Sequence, residues 1–297
     1  MNIRTVERRC DICIEEQCGG KRDCNCDTCQ VKDKCPKILR PTIRITNRCT
    51  QECSHCCFES SPKSDTNMTV EKAKEIAKFL EANQIHDLNM MGGEFFCNPD
   101  WLEVLMELGL PDHIVYFRLV SNSDWYKNDK VKQGLLTLRD ALGSKFHMSL
   151  SKDRWHTNVG VEEASKWLKE NGILTILATE NNTKPEGIVP VGRAELGYWG
   201  FFDTMQNLCA GEDEHYTFLI NEEGFIYKCN FGVWPYAKID EYLEGGFRER
   251  FKTYNQKFYK VFIPNCRVCY QCAKRYESED DKQDQITYDH LVVKRGY

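Results

Sequence analysis

The sequence predicts an α/β fold arranged as a partial (β/α)6 TIM-like barrel. Between residues 42 and 191, short runs rich in β-branched and aromatic residues alternate with helical patterns, which is typical of a parallel sheet. Five or six βα units fit into these residues, fewer than the eight of a closed barrel. Beyond about residue 200 the pattern changes to aromatic, β-like runs. We therefore predict a Cys-rich extension over residues 1–40, the barrel over 41–200, and a small separate β-hairpin/helix module with a tail over 201–297.

The strands and helices alternate strictly in this region. The first helix is predicted from an apolar face formed by Val70, Ala73, Ile76, Ala77 and Leu80. Gly109 and Gly172 are placed to end two of the later helices. The turn residues 222–224 between two β-like runs predict a hairpin over 215–231. The predicted strands are residues 42–46, 87–93, 115–122, 145–151, 173–179 and 188–191, and the predicted helices are 69–83, 99–109, 130–142 and 162–172.

Composition indicates an ordinary soluble globular protein, with 41% hydrophobic and 29% charged residues. No apolar run is long enough to span a bilayer or to serve as a signal peptide, so we expect a cytoplasmic protein with no membrane partner. The net charge of -5 gives no general attraction to a polyanion, which makes a nucleic-acid partner a weak expectation.

The 17 cysteines are clustered, and in a chain without an export signal clustered thiols favour zinc or iron–sulfur sites over disulfides. Cys97 stands apart from the clusters. The clustered cysteines are Cys10, Cys13, Cys18, Cys24, Cys26, Cys29 and Cys35, then Cys49, Cys53, Cys56 and Cys57, then Cys209 and Cys229, and finally Cys266, Cys269 and Cys272.

The run CTQECSHC offers the thiols of Cys49, Cys53 and Cys56 directly after the first predicted strand. A cubane cluster has four irons, so three thiolates would leave one iron open for a substrate or cofactor. A structural zinc ion would need a fourth ligand, for which His55 or Cys57 is an alternative.

CxxxCxxC after the first strand, followed by GGE at the end of the second, resembles the radical S-adenosylmethionine (radical SAM) superfamily. The resemblance implies that Cys49, Cys53 and Cys56 bind a [4Fe–4S] cluster whose open iron binds SAM, and that Gly92, Gly93 and Glu94 contact SAM. Glycines allow close backbone approach, and a carboxylate can accept hydrogen bonds from the methionyl ammonium. The residue before the last cysteine is usually aromatic in this family. Here it is His55, whose ring can stack on the adenine or whose backbone can contact it.

Other polar residues lie where the family places groups that touch SAM or substrate. Each also has a plain structural interpretation, since Ser and Asn form turns at strand ends and an Arg is often a surface residue. Asp153 and His156, in the run DRWH, are candidate catalytic residues for substrate handling, with His156 as a general base. The candidate cofactor ligands of this kind are Ser121, Asn122, Ser149, Ser151 and Arg193.

The C-terminal cysteines resemble the SPASM/twitch module of radical SAM enzymes. Fourteen residues separate Cys209 from Gly224, and Cys229 and the run CRVCYQC follow. A twitch module with one auxiliary [4Fe–4S] cluster fits this number of cysteines, with two of Cys266, Cys269 and Cys272 completing the ligand set. A zinc ribbon is the alternative, because spacing alone does not separate zinc from iron–sulfur. For the seven N-terminal cysteines, zinc, a further iron–sulfur cluster and unligated thiols all stay open.

Together these resemblances imply a radical SAM oxidoreductase that cleaves SAM to a 5′-deoxyadenosyl radical and removes hydrogen from a small molecule or a peptide side chain. The auxiliary cluster would accept an electron or bind substrate, and a flavodoxin-type reductase would be the electron donor. The first alternative is a peptide-modifying enzyme that forms thioether or carbon–carbon crosslinks. A second is modification of a nucleic acid or nucleoside, since residues 1–48 hold eleven Lys and Arg against seven Asp and Glu. A zinc-rich binding module is the non-enzyme alternative.

Overall fold

A computed structural model describes residues 38–179, 215–227, 235–251 and 253 of the chain. Its centre is an eight-stranded sheet in the order β5-β4-β3-β2-β1-β6-β7-β8. The strands are β1 (Ile38–Arg44), β2 (Asp87–Met91), β3 (Tyr116–Ser121), β4 (Phe146–Lys152), β5 (Leu174–Thr179), β6 (His215–Ile220), β7 (Phe225–Tyr227) and β8 (Pro235–Lys238). The helices are α1 (Val70–Ala82), α2 (Trp101–Gly109), α3 (Asp129–Leu142) and α4 (Val161–Glu170), with short 3-10 turns at Phe95–Cys97, Asp124–Lys127, Gly143–Lys145 and Ile239–Tyr242.

Strands β1 to β5 are parallel, and α1 to α4 connect consecutive strands. The core lies between the helices and one face of the sheet, where Leu88, Phe117 and Met148 pack with buried residues of the helices. Side-chain caps define two helix starts: the Thr69 hydroxyl accepts from Lys72 N, and the Asn128 carbonyl oxygen accepts from Lys130 N. The α/β parallel architecture predicted from the sequence is therefore confirmed.

Strand β1 differs from its prediction, because it begins at Ile38 and ends at Arg44 rather than spanning residues 42–46. Pro41 lies inside it, and pairing with β2 begins one residue later at Thr42, since proline has no N–H to donate. Thr46 lies beyond the strand and bridges to Asn67, which directs the chain into the cysteine loop.

The predicted hairpin is present as the antiparallel pair β6 and β7. Gly224 takes φ 83° in the turn, and the Asn221 side chain accepts from the N–H groups of Glu223 and Phe225. We predicted a separate module, whereas the hairpin extends the main sheet beside β1. A two-stranded ribbon alone buries little, and here Glu222 is paired with Arg44 of β1 at 2.7 Å.

Several predicted features lie outside the described residues. In the part of the chain that is described, no helix is long and apolar enough to cross a membrane. The features outside it are the strand at 188–191, Arg193, and all cysteines of the sequence except Cys49, Cys53, Cys56, Cys57 and Cys97.

Candidate active site

The loops that follow β1, β2, β3 and β4 converge at the carboxyl edge of the sheet, as expected for parallel strands. The loop after β1 carries the CxxxCxxC run, and we call residues 47–66 the cysteine loop. Backbone bonds close it: Asn47 N donates to Thr66 O at 3.1 Å, and Cys49 N donates to Ser61 O at 3.1 Å. Cys56 N donates to Cys53 O at 3.2 Å, which makes a tight turn of the CxxC segment.

The GGE segment is joined to the cysteine loop by main-chain hydrogen bonds. Gly93 N donates to Thr46 O at 3.0 Å, and Glu94 N donates to Arg48 O at 2.8 Å. A Cβ on Gly93 would lie 2.0 Å from Arg48 O, and a Cβ on Gly92 would lie 2.8 Å from Thr46 O. The glycines are therefore required by the close approach of two backbones. This approach places Glu94 beside Arg48, the residue before Cys49.

Glu94 is 1% exposed, so its carboxylate has almost no contact with solvent. It accepts hydrogen bonds from Ser121 Oγ at 3.1 Å and from Asn122 N at 2.9 Å. Burial raises its pKa to about 8 and nearby Asp124 adds to the rise, while the bonds from Asn122 and Ser121 oppose it. A buried carboxylate of this kind is stabilised by a bound cation, such as the ammonium group of an amino acid.

The sulfurs of Cys49, Cys53 and Cys56 do not all lie close together. Among the described residues, only His55, Asp153 and His156 bring three potential ligand atoms within 4.8 Å of one another, so at least two of these sulfurs are more than 4.8 Å apart. A tetrahedral zinc ion would hold thiolates about 3.8 Å apart, given Zn–S bonds of about 2.3 Å. Cubane clusters carry their thiolates on different irons and need the wider spacing.

Cys49 has the donors that a cluster thiolate uses. Its sulfur accepts from Gln51 N at 3.4 Å and from Asn122 Nδ2 at 3.7 Å. Burial raises the pKa of the thiol to about 12, and the negative charges of Glu94, Cys53 and Cys56 add to the rise. A coordinated metal ion would reverse this balance, because it would deprotonate the Cys49 thiol. None of the five described cysteines forms a disulfide.

Sequence reasoning missed three side chains that tie the cysteine loop to its neighbours. Gln51 Nε2 donates to Asp124 Oδ1 and to Thr157 Oγ1, each at 2.9 Å. Thr157 N donates to Gln51 Oε1, which also accepts from the Cys53 thiol at 3.4 Å. Gln51 is a variable position of the motif, and Asp124 and Thr157 lie more than seventy residues away along the chain. Nothing in the sequence marks them as partners.

His55 meets the loop after β4. Its ring lies 5.0 Å from the ring of His156 in an edge-on arrangement and 5.7 Å from that of Trp155. The His156 ring is fixed by Asp153, whose two carboxylate oxygens lie 2.8 Å from His156 Nδ1. The same carboxylate accepts from the N–H groups of Trp155 and His156. Although burial opposes the shift, these bonds hold the pKa of Asp153 at about 2.

The predicted serine ligands do not share one face of the sheet. Ser121 is in register with Leu150, whose side chain belongs to the core on the helical side. Its hydroxyl accepts from Trp125 Nε1 at 2.9 Å and donates to Glu94, so Ser121 helps to fix the Glu94 carboxylate. Ser149 and Ser151 lie on the opposite face, as the alternation of β4 requires. Asn122 contacts the cysteine loop through Thr50 Oγ1 at 3.0 Å.

Residues 43–179, a little under half of the chain, match the radical SAM superfamily. This stretch contains the cysteine loop, the GGE segment and the loops after β3 and β4.

Two Bacillus subtilis (strain 168) proteins are similar in sequence. YydG, named for peptide biosynthesis, is 32% identical over 116 residues, covering 39% of this chain and 36% of YydG. The antilisterial bacteriocin subtilosin biosynthesis protein AlbA is 32% identical over 89 residues, covering 30% of this chain and 20% of AlbA. The matched stretch thus spans about a third or less of these curated relatives.

A solved structure with the same fold is BtrN in complex with AdoMet and 2-DOIA. It is 12% identical, has a TM-score of 0.51, and covers 79% of this chain and 92% of that chain. This likeness shows the fold alone and agrees with the partial barrel predicted from the sequence.

Proposed function

We propose that the protein is a radical SAM enzyme that modifies a peptide. The observation that carries the proposal is the GGE segment bonded to a loop with three cysteines, inside the stretch that matches the radical SAM superfamily. The names of YydG and AlbA support a peptide substrate over the small molecule that is the other expectation from the sequence.

Cys49, Cys53 and Cys56 would hold a [4Fe–4S] cluster through three irons. When bound, the cluster supplies the electron that cleaves SAM to methionine and a 5′-deoxyadenosyl radical, which takes a hydrogen atom from the substrate. Gln51 N and Asn122 Nδ2 stabilise the Cys49 thiolate by hydrogen bonding. An auxiliary cluster on the C-terminal cysteines stays a prediction, since those residues lie outside the described ones.

Glu94 is the group that receives the methionyl ammonium of SAM in this proposal. Ser121 and Asn122 N already occupy part of its acceptor capacity and fix the orientation of the carboxylate. The charge of the ammonium would offset the cost of burying an ionised carboxylate. His55 borders the same edge and supplies a ring for stacking.

His156 is the candidate group for moving a proton to or from the substrate. Asp153 accepts from Nδ1, so in this arrangement Nε2 is the ring nitrogen that faces away from the carboxylate. Since three of the donors to Asp153 come from its own loop, we assign Asp153 a positioning role for the His156 ring.

The experiment that tests the proposal measures 5′-deoxyadenosine formed from SAM by the anaerobically reconstituted, dithionite-reduced protein. We expect the wild type to form it and Cys53→Ala to lose at least about 99% of the activity, because an iron loses its ligand. Cys57→Ala is the matched control. It removes a thiol of the same loop, next to Cys56, that packs beside Phe58, and it should retain the activity. Equal activity in the two variants would contradict the assignment of the motif.

Asp153→Asn is expected to slow product formation with a peptide substrate by about 10–100-fold, because the His156 ring loses its orienting carboxylate. Formation of 5′-deoxyadenosine without substrate should be unchanged, since the cysteine loop is intact. The two rates are compared by mass spectrometry of the same reaction mixtures. A parallel fall in both rates would indicate a structural role for the Asp153 loop instead.

A further inference from the structure

One face of the sheet, opposite to the helices, carries a row of polar side chains. Asn89 of β2, Arg118 of β3 and His147 of β4 are direct neighbours in the parallel register. Residues in register across parallel strands point to the same face, so these three side chains lie side by side. Their strand neighbours Leu88, Phe117 and Met148 belong to the core on the helical side. None of the three was predicted as a site residue.

Asn89 and His147 are buried, and Arg118 is half-buried. Asn89 is 8% exposed and His147 is 3% exposed. Within the described part of the chain, neither Asn89 Oδ1 nor Arg118 Nε has a hydrogen-bond partner, although both atoms are shielded from solvent. Buried polar atoms without a partner are costly and uncommon in native proteins. Arg118 Nε is a donor, so an acceptor such as a carboxylate would satisfy it, whereas Asn89 Oδ1 is itself an acceptor that a carboxylate cannot satisfy.

Two other arginines on this face have carboxylate partners, and Arg118 has none among the described residues. Arg40, one layer toward the amino ends of the strands, pairs with Asp87 at 2.7 Å, and Arg44, one layer toward the carboxyl ends, pairs with Glu222 at 2.7 Å. Among the described residues no carboxylate pairs with Arg118. Burial lowers the pKa of His147 and Arg118 lowers it further, so the ring is neutral beside the guanidinium.

Aromatic rings border the row on the side of the amino ends of the strands. The ring of Tyr116 stacks on that of His147 at 4.7 Å, and the Arg40 guanidinium lies 5.9 Å from the Tyr116 ring. These rings lie toward the amino ends of the strands, and the cysteine loop lies at the carboxyl ends. Arg118 is four residues before Asn122, which corresponds to about 13 Å along the strand.

We propose that Arg118, which lies in the row between Asn89 and His147, binds a carboxylate of the substrate. The inference rests on the proposed function, because it deepens the substrate class to a peptide with an acidic group. A guanidinium binds a carboxylate through two parallel N–H bonds, and a single guanidinium without a carboxylate partner among the described residues matches one carboxylate. The remainder of the substrate extends from this anchor toward the cysteine loop.

The test measures binding of capped peptides to the full-length reconstituted protein with SAM. Three pools of acetylated, amidated pentapeptides carry Glu, Gln or Lys at the centre and random residues elsewhere. Peptides retained by the immobilised protein are counted by mass spectrometry. We expect the wild type to retain the Glu pool at least about tenfold better than the Gln pool, and Arg118→Met to reduce this ratio to about one.

Control variants separate charge recognition from folding. Arg139→Met removes an arginine from α3, away from this face, and should leave the ratio unchanged. Arg118→Lys keeps the charge without the paired N–H geometry, and the ratio should fall about two- to fivefold in a variant that folds like the wild type by circular dichroism. A Glu preference that survives in Arg118→Met, or no Glu preference in the wild type, would overturn the inference.

The binding result is independent of radical chemistry. A protein that prefers the Glu pool but forms no 5′-deoxyadenosine would contradict the proposed function and leave the carboxylate site standing. Cleavage of SAM without a Glu preference would overturn the carboxylate site alone.

Discussion

Gly93→Ala is expected to abolish SAM cleavage and to destabilise the protein by about 3 kcal/mol. The new Cβ would lie 2.0 Å from Arg48 O, which is a main-chain atom and cannot rotate away. Relief of the clash would separate the GGE segment from the cysteine loop and break the bond from Glu94 N to Arg48 O. A shift of about 1 Å in such a site can cost about a hundredfold in rate. Chemical denaturation and the 5′-deoxyadenosine assay measure the two effects.

The control for this substitution is Gly172→Ala, in the turn after α4. Its Cβ would meet no atom within 4 Å, and its only penalty comes from φ 72°. We expect a loss of about 1 kcal/mol in stability and no change in SAM cleavage. Gly92→Ala, whose Cβ would lie 2.8 Å from Thr46 O, should lose stability and SAM cleavage to a degree between those of Gly93→Ala and Gly172→Ala. If Gly93→Ala were as active as Gly172→Ala, the tight junction would not be part of the active site.

Glu94→Gln is expected to weaken SAM binding by about a hundredfold while making the metal-free protein more stable. The amide can still accept from Ser121 and from Asn122 N, but it cannot balance the charge of an ammonium group. Stability rises because the buried carboxylate no longer has to ionise without a cation. Isothermal titration calorimetry with SAM and thermal unfolding of the metal-free protein measure the two quantities.

The stability difference has a defined pH dependence. The folded pKa of Glu94 is raised to about 8 from an ordinary value of 4.5, so the unfolded state ionises first as the pH rises. The wild type therefore loses stability between pH 4.5 and about 8, whereas Glu94→Gln does not. The difference should be near zero at pH 4.5 and reach about 5 kcal/mol above pH 8, since one pKa unit corresponds to about 1.4 kcal/mol. A difference that does not vary with pH would contradict the burial of an ionisable group.

Most strands and helices could be predicted from the sequence, because the patterns that predict them lie within short segments of the chain. Helix α1 follows from the apolar face of Val70, Ala73, Ile76 and Leu80, and the hairpin follows from the turn at Gly224. The predicted strand began at residue 42, whereas β1 begins at Ile38 and includes Pro41, which lies just before the ladder with β2. The joining of the hairpin to β1 depends on Glu222 and Arg44, which are 178 residues apart.

The candidate site was predictable where one short motif carries it, as in the cysteine loop and the GGE segment. It was not predictable where strand alternation or contacts between distant residues decide which side chains lie at the site. Ser121 belongs to the helical face and supports Glu94, while Ser149 faces the other side of the sheet. The junction of Gln51, Asp124 and Thr157 is formed by three loops, and the row around Arg118 depends on the register of three strands.

The central claim is that Cys49, Cys53 and Cys56 hold a cluster with an iron open to SAM, and electron paramagnetic resonance of the reduced, reconstituted protein tests it most directly. We predict a [4Fe–4S]⁺ signal whose g values shift when SAM is added, and the loss of that SAM-responsive signal in the variant Cys49→Ala/Cys53→Ala/Cys56→Ala. Signals from clusters on other cysteines would persist in that variant. A wild-type spectrum that SAM does not change, or a SAM-responsive signal that survives the three substitutions, would contradict the account.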